Sequence, residues 1–340
     1  MLCDLIASGH KAPIIQASRP SMIHAVTTLG KKIAAAERFT LDRRAVMMIQ
    51  NTSLLTPTKF IKALPICRMP FCRMWVEFDF KDRADWLKEA IAAGRQKEFN
   101  YELASPPKRI GFYMESSPEN PHLIDVHPAW NHYEDTPEIA MRAMRVDTTP
   151  TPQDKADLIA RIREALARPE NREGLNLRTE ADLDAGADLE WRFDPIVPPY
   201  LTGMWNDVQT MGPEFEQEML DSSAYDLKTE WRFILAFLLI INSRNLVNIG
   251  KGEDLSKLNK ARSKKGRPPL LTHRPIRLNL SRIQQQRMRT QMIGPRATPT
   301  EAVPVMGHFK VRSSGIFYWS EHERYSHLGR GEGRIRRVVA

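Results

Sequence analysis

Cysteine is scarce in this chain: Cys3, Cys67 and Cys72 are the only three in 340 residues. An odd, sparse set excludes a disulfide scaffold and points to a reducing compartment. Long apolar runs are missing too. The longest, Phe233 to Ile241, is too short to cross a bilayer, so no membrane partner is expected. Residues 1–11 lack a basic start followed by an apolar stretch, so no signal peptide is expected. No phosphate-cradling P-loop, Gly-rich dinucleotide turn or Gly-x-Ser-x-Gly elbow occurs, which argues against nucleotide hydrolysis and hydride transfer. No internal repeat is visible. No cofactor and no metal is expected.

What the chain does have is charge, unevenly placed. The formal net charge is +9. Residues 101–230 hold 12 Lys and Arg against 26 Asp and Glu, whereas residues 251–340 hold 20 against six. A terminal third this basic attracts polyanions or an acidic partner at long range. The acidic middle is a candidate partner within the same molecule.

Periodicity predicts an α+β fold. Met22, Ile23, Val26, Leu29 and Ile33 recur at helical spacing over 21–37, and a second helix is expected over 41–55. Residues 1–20 show no clear period and are expected to be poorly ordered. Met74 to Phe80 alternates strictly and reads as a half-buried strand, followed by a helix over 83–93 capped by Asp82. Arg109 to Met114 and Leu123 to Val126 are two further strands, which makes a small mixed layer. Thr148 to Pro152 reads as a linker leading to a helix that Pro169 ends. An acidic excursion, an extended Pro-rich stretch from Trp191 to Tyr200 and a short acidic helix from Pro213 follow. Trp231 to Val247 is the strongest helix, apolar all round and so expected to be buried as the pillar of a C-terminal domain. After it come a basic loop (251–269), a strand (274–280) and a Gln/Arg-rich connector. The domains predicted are 1–147, a mixed α+β unit; 148–213, linker, helix and acidic excursion; and 214–340, the basic C-terminal unit.

The last forty residues carry most of the functional signal. Gly307 to Arg312 and Ile316 to Ser320 read as the limbs of a β-hairpin closed by Ser313-Ser314-Gly315. That closure pairs Arg312 with Ile316, Lys310 with Tyr318 and His308 with Ser320. It gives one packing face and one basic face that carries a single aromatic ring. Cations for phosphates beside a ring for stacking suit nucleic acid. The candidate nucleic-acid-binding residues are therefore His308, Lys310, Arg312, Tyr318 and Arg324, with Lys264, Lys265 and Arg267 of the basic loop. DNA or RNA is the expected partner; a host protein bound through the acidic middle or the hairpin is the alternative.

Three chemical constellations stand beside this reading. His308, His322 and His327, with Lys310, Arg312 and Arg324, supply the acid, base and cations of a metal-independent ribonuclease. Glu77 and Asp79, with Asp125 or His127 on a neighbouring strand, resemble a Mg²⁺-holding set. Cys67-x₄-Cys72 and His322-x₄-His327 fall within zinc-ligand spacings, but about 250 residues separate them and no compact Cys-x-x-Cys exists.

Two resemblances add to the residue-level reading. Lys264-Lys265-Gly266-Arg267-Pro268-Pro269 is similar to the AT-hook pattern, departing from it where Leu270 and Leu271 replace further bases. That likeness implies an extended Arg lying in an A·T minor groove. The run from Phe233 to Asn242, then Leu258 through the Lys-Lys-Gly-Arg stretch to Leu270, then Gly307-His308-Phe309-Lys310 through Trp319 to His322 and Arg324, resembles the C-terminal part of uncharacterised bacteriophage and prophage proteins. Relatives often carry Gly after the last Arg, where this chain has Tyr325. The resemblance implies a phage or mobile-element origin and expression in a bacterial host cytoplasm; it implies no activity.

Overall fold

The computed structural model of the chain describes residues 1–8, 18–53, 63–92, 106–133, 136–149, 193–243, 245–279, 303–305, 308–312, 315–319 and 322–324. The expected helix after Thr151, the acidic excursion, the Gln/Arg-rich connector and His327 lie outside the described residues.

The fold is α+β, built on a nine-stranded mixed sheet. Its strands are β1 (Glu37–Leu41), β2 (Arg73–Asp79), β3 (Arg109–Glu115), β4 (Leu123–Tyr133), β5 (Thr136–Ile139), β6 (Ala143–Asp147), β7 (Phe193–Ile196), β8 (Val247–Ile249) and β9 (Arg274–Leu278). The order across the sheet is β7-β6-β4-β3-β2-β1-β9-β8, with β5 paired to β4. β1 runs parallel to both β2 and β9, and the other pairings are antiparallel.

Helices cover both faces. On one face lie α1 (Leu2–Ser8), α2 (Pro20–Ala34) and α5 (Thr202–Gln209). Leu2, Cys3, Ile6, Val26, Leu29, Leu201 and Met204 pack there with Trp75 and Tyr113. On the other face lie α3 (Arg43–Ser53), α4 (Phe80–Ala92) and α6 (Pro213–Ile241). Val46, Ile49, Ile234 and Phe237 meet Val76, Phe112, Val126 and Met144 in that core. Arg83 of α4 stacks on Phe78 and Phe233, its guanidinium carbon 5.5 and 4.8 Å from the ring centres. Both its terminal nitrogens bond Glu230 at 2.6 Å. A bidentate pair in a mostly apolar setting fixes the α4–α6 contact geometrically.

Several expectations are corrected here. β2 is not half-buried: Trp75 and Glu77 are as inaccessible as Val76 and Phe78, because α1 covers their face. Residues 2–8 are helical and buried at Leu2, Cys3 and Ile6. The acidic helix from Pro213 and the apolar one from Trp231 are a single 29-residue helix, which stops at Ile241 rather than Val247. Asn242 ends it, sending its side-chain amide to the carbonyls of Arg68 and Leu238. The eight residues Phe233 to Ile240 are buried on every side, as their apolar run predicts. They pack against strands from the first 150 residues. β9 also joins β1, and β7 joins β6, so strands from all three of the expected segments share one sheet. The helix expected at 83–93 begins at Phe80, which places Asp82 inside its first turn. Asp42, by contrast, caps α3 through the Ala45 N–H at 2.8 Å.

Candidate nucleic-acid interface

The connection between β8 and β9 was expected as a loop, but it folds as helix α7 (Ser256–Lys264), which buries none of its residues. A helix with no apolar face gives no periodic signal and gains nothing from a core. Local hydrogen bonds hold it instead. The Asp254 carboxylate accepts the Ser256 N–H at 2.9 Å, and that bond keeps the carboxyl below its usual range. At the other end Gly266 takes φ +63°, the left-handed conformation that glycine adopts without a Cβ penalty. The Gly266 N–H reaches Ser263 and the Arg267 N–H reaches Arg262, which together make a Schellman cap.

The chain then returns along the helix. The Asn259 side chain bonds both the N–H and the C=O of Leu270, at 2.8 and 2.9 Å. Arg262 Nε donates to the Pro268 carbonyl at 2.8 Å. Leu271 N–H and the Thr272 carbonyl dock on Asp4 and Arg38. Arg267 therefore sits in a helix-capping turn, not in the extended arm that the AT-hook likeness implies.

This capped helix presents cations. Residues 255–273 contain six Lys and Arg and no Asp or Glu. Lys257, Lys260, Lys264, Lys265 and Arg267 are exposed, and among the described residues none forms an ion pair. Lys257, Lys260 and Lys264 fall at i, i+3 and i+7, on one helix face. The sequence reading singled out Lys264, Lys265 and Arg267 but missed Lys257 and Lys260. Their spacing was the available signal.

The terminal strands are β10 (Val303–Val305), β11 (His308–Arg312), β12 (Gly315–Trp319) and β13 (His322–Arg324). β11 and β12 form the expected hairpin, with a register one residue away from the expected one. His308 pairs with Trp319, Phe309 with Tyr318, Lys310 with Phe317 and Arg312 with Gly315. Gly315 belongs to the second limb, so two residues rather than three link the strands. That change alone shifts every partner by one. Tyr318 thus stands opposite Phe309 and not opposite Lys310, so the expected ring among the cations is not a register neighbour of Lys310.

β10 and β13 pair in the same register, with His322 opposite Val305 and Arg324 opposite Val303. β10 and β13 form a two-stranded ladder distinct from that of β11 and β12. His308 and His322 are not register partners, and His327 lies outside the described residues.

No family model, curated protein or solved structure matches this chain.

The Glu77/Asp79 set does not assemble as a metal site, and the Cys/His set includes His327, outside the described residues. Glu77, Asp79, Asp125 and His127 each serve a structural partner. Asp79 pairs with Arg109 at 2.7 Å. Asp125 takes a bidentate contact from Arg145 at 2.7 and 2.9 Å. Among the described residues no cluster of three or more His, Cys, Asp and Glu is arranged to hold a metal. Cys67 is buried and donates its thiol to the Leu235 carbonyl, and burial pushes that thiol's pKa up to about 12. Cys72 is exposed. It lies on a cleft of about 610 Å³ beside Arg73 and Glu115, which bond each other at 2.9 Å.

The buried polar groups of the α1/α2 face were not anticipated. Burial pushes Glu115 up, but hydrogen bonds and charge from Lys32 and Arg73 outweigh it and hold the carboxyl below its usual range. His127 Nε2–H donates to the Ala140 carbonyl at 2.8 Å, so Nδ1 accepts the Tyr200 hydroxyl at 2.6 Å. Burial lowers His127 from 6.5 to about 4, opposed only weakly by the Ala140 bond.

The sign of the resulting pH effect follows by linkage. The unfolded histidine binds a proton below its ordinary pKa near 6.5, while the folded one stays neutral down to about 4. The stabilisation is complete above pH 6.5 and is lost as pH falls from there to about 4, by roughly 3 kcal/mol in total. Urea unfolding at pH 7.0 and pH 4.5 measures it. His127→Gln should flatten that pH slope; an unchanged slope would assign it to other groups.

Proposed function

We propose that this chain is a phage-encoded, non-enzymatic nucleic-acid-binding accessory protein, working in the bacterial host cytoplasm. Its basic C-terminal third contacts DNA or RNA phosphates. One observation carries the reading: α7 and its cap turn hold five exposed cations without a carboxylate partner among the described residues, on a helix that contributes nothing to the core. Elsewhere on the body, exposed Arg73 and Lys81 are answered by Glu115 and Asp85, and exposed cations without an ion pair among the described residues, such as Lys31, Arg44 and Lys88, are spread over three helices, α2, α3 and α4. Unanswered like charges held together repel, and a polyanion relieves that repulsion while releasing its own counterions. The cations of β11 and β13, Lys310, Arg312 and Arg324, add to the same basic third.

Affinity capture of the full chain from a bacterial lysate, with and without nuclease, tests the reading. The captured material should absorb more strongly at 260 than at 280 nm and return to a protein spectrum after nuclease. A protein-like spectrum from the start, with one host protein retained through nuclease treatment, would replace this reading with that of an adaptor.

A further inference from the structure

We infer that the ligand of this surface is a nucleic-acid duplex, held along its phosphate backbone by α7 and its cap turn without reading the bases. The inference rests on the nucleic-acid reading above and narrows it. Lys257 to Lys264 spans about 10 Å of helix axis, over which a duplex displays about six phosphate charges. Three lysines on that face, extended by Lys265 and Arg267 at the turn, match a continuous line of charge.

The surface also lacks what single strands need. Residues 255–272 contain no Phe, Tyr, Trp or His, so no ring is offered for base stacking. Lysine is a point charge that meets phosphate in any orientation, whereas base-edge recognition favours paired, planar donors. The single guanidinium that could read a base, Arg267, belongs to the capping turn, while Arg262 is engaged with Pro268. Finally, the clamp from Asn259 to Leu270 and the Gly266 cap fix the helix and the returning strand before any ligand arrives. A fixed array of charges favours a stiff, regular partner, since little ordering remains to be done on binding.

Fluorescence anisotropy on the full chain tests this, with labelled duplex DNA, duplex RNA and a single strand, each of about 24 residues per strand. At about 100 mM salt, duplexes should bind at least ~10-fold more tightly than the single strand, because only the duplex matches the array. Comparable affinities for DNA and RNA duplexes are expected for backbone contact alone. The variant Lys257→Ala/Lys260→Ala/Lys264→Ala/Arg267→Ala changes exposed positions only. It should lose at least ~100-fold in duplex affinity, and its slope of log K against log salt should fall by about 3 to 4. Circular dichroism and urea unfolding should match the parent.

Duplex binding that survives the four substitutions overturns this inference and leaves the nucleic-acid reading standing. So does a preference for the single strand, which would move the contact to the terminal hairpin. No binding to any of the three at low salt removes both the inference and the reading beneath it.

Discussion

Glu77→Ala should destabilise the fold by about 3 to 5 kcal/mol, the largest loss expected from one side chain here. The Glu77 carboxylate is fully buried in the sheet. It accepts the Cys3 N–H at 2.8 Å, the Leu2 N–H at 3.3 Å and the Trp75 indole N–H at 2.9 Å. Arg109 Nε lies 3.3 Å from it as an ion pair. The first two are backbone donors at the start of α1 that have no partner within the helix. Alanine would leave them, the indole N–H and part of the Arg109 charge without an acceptor in a dry interface. An orphaned buried donor costs its desolvation, and the costs accumulate. α1 should also loosen, which Cys3 reports directly. In the native fold that thiol is buried, and burial and then Glu77 push its pKa up. In Glu77→Ala it should react with a thiol reagent before global unfolding. Urea unfolding measures the stability change, and a loss under about 1 kcal/mol would show that the carboxylate is not what holds α1.

Gly111→Ala is the second. In the register, Gly111 stands opposite Glu77 on β2 and Ala129 on β4. The Trp75 indole lies over the bare glycine backbone and from there reaches Glu77. A Cβ on residue 111 would come within 2.5 Å of Trp75 Cη2 and closer still to Cζ2. One methyl group would therefore displace a large, fully buried ring and break its bond to Glu77. Overpacking of this kind costs about 1 to 3 kcal/mol by itself, and the lost indole bond adds to it. A total near 3 kcal/mol is expected, together with a change in Trp fluorescence. The two substitutions share Trp75, so their effects should not add in the double variant. Additive losses would mean that the indole and the carboxylate act independently.

These two sites also mark where the sequence stopped being informative. The alternation from Met74 to Phe80 was enough to place β2. The same alternation suggested that Glu77 faced water, since a polar residue at every second position is the usual mark of an exposed face. Its partners, Leu2 and Cys3, lie 75 and 74 residues away. Nothing local announces them. β1 escaped because its five residues, Glu-Arg-Phe-Thr-Leu, sit between two helical periods and are too few to show one of their own. α6 was divided because its acidic first half and apolar second half have different periodic signatures on one continuous backbone. Of the candidate interface, the charge excess was plain from composition. The helix that displays it was not, because α7 has no buried side and its order comes from two caps and the Asn259 clamp. The terminal hairpin was legible as a hairpin, while its register turned on whether Gly315 belongs to the turn or to the strand.

The central claim is that the basic third binds nucleic-acid phosphates. The dependence of affinity on salt tests it most directly, with the full chain and labelled duplex DNA from about 50 to 200 mM salt. Log K should fall linearly with log salt, with a slope of about −4 or steeper if the five cations of α7 and its turn each release a counterion. Affinity that is flat across that range, or absent at 50 mM, would contradict the account.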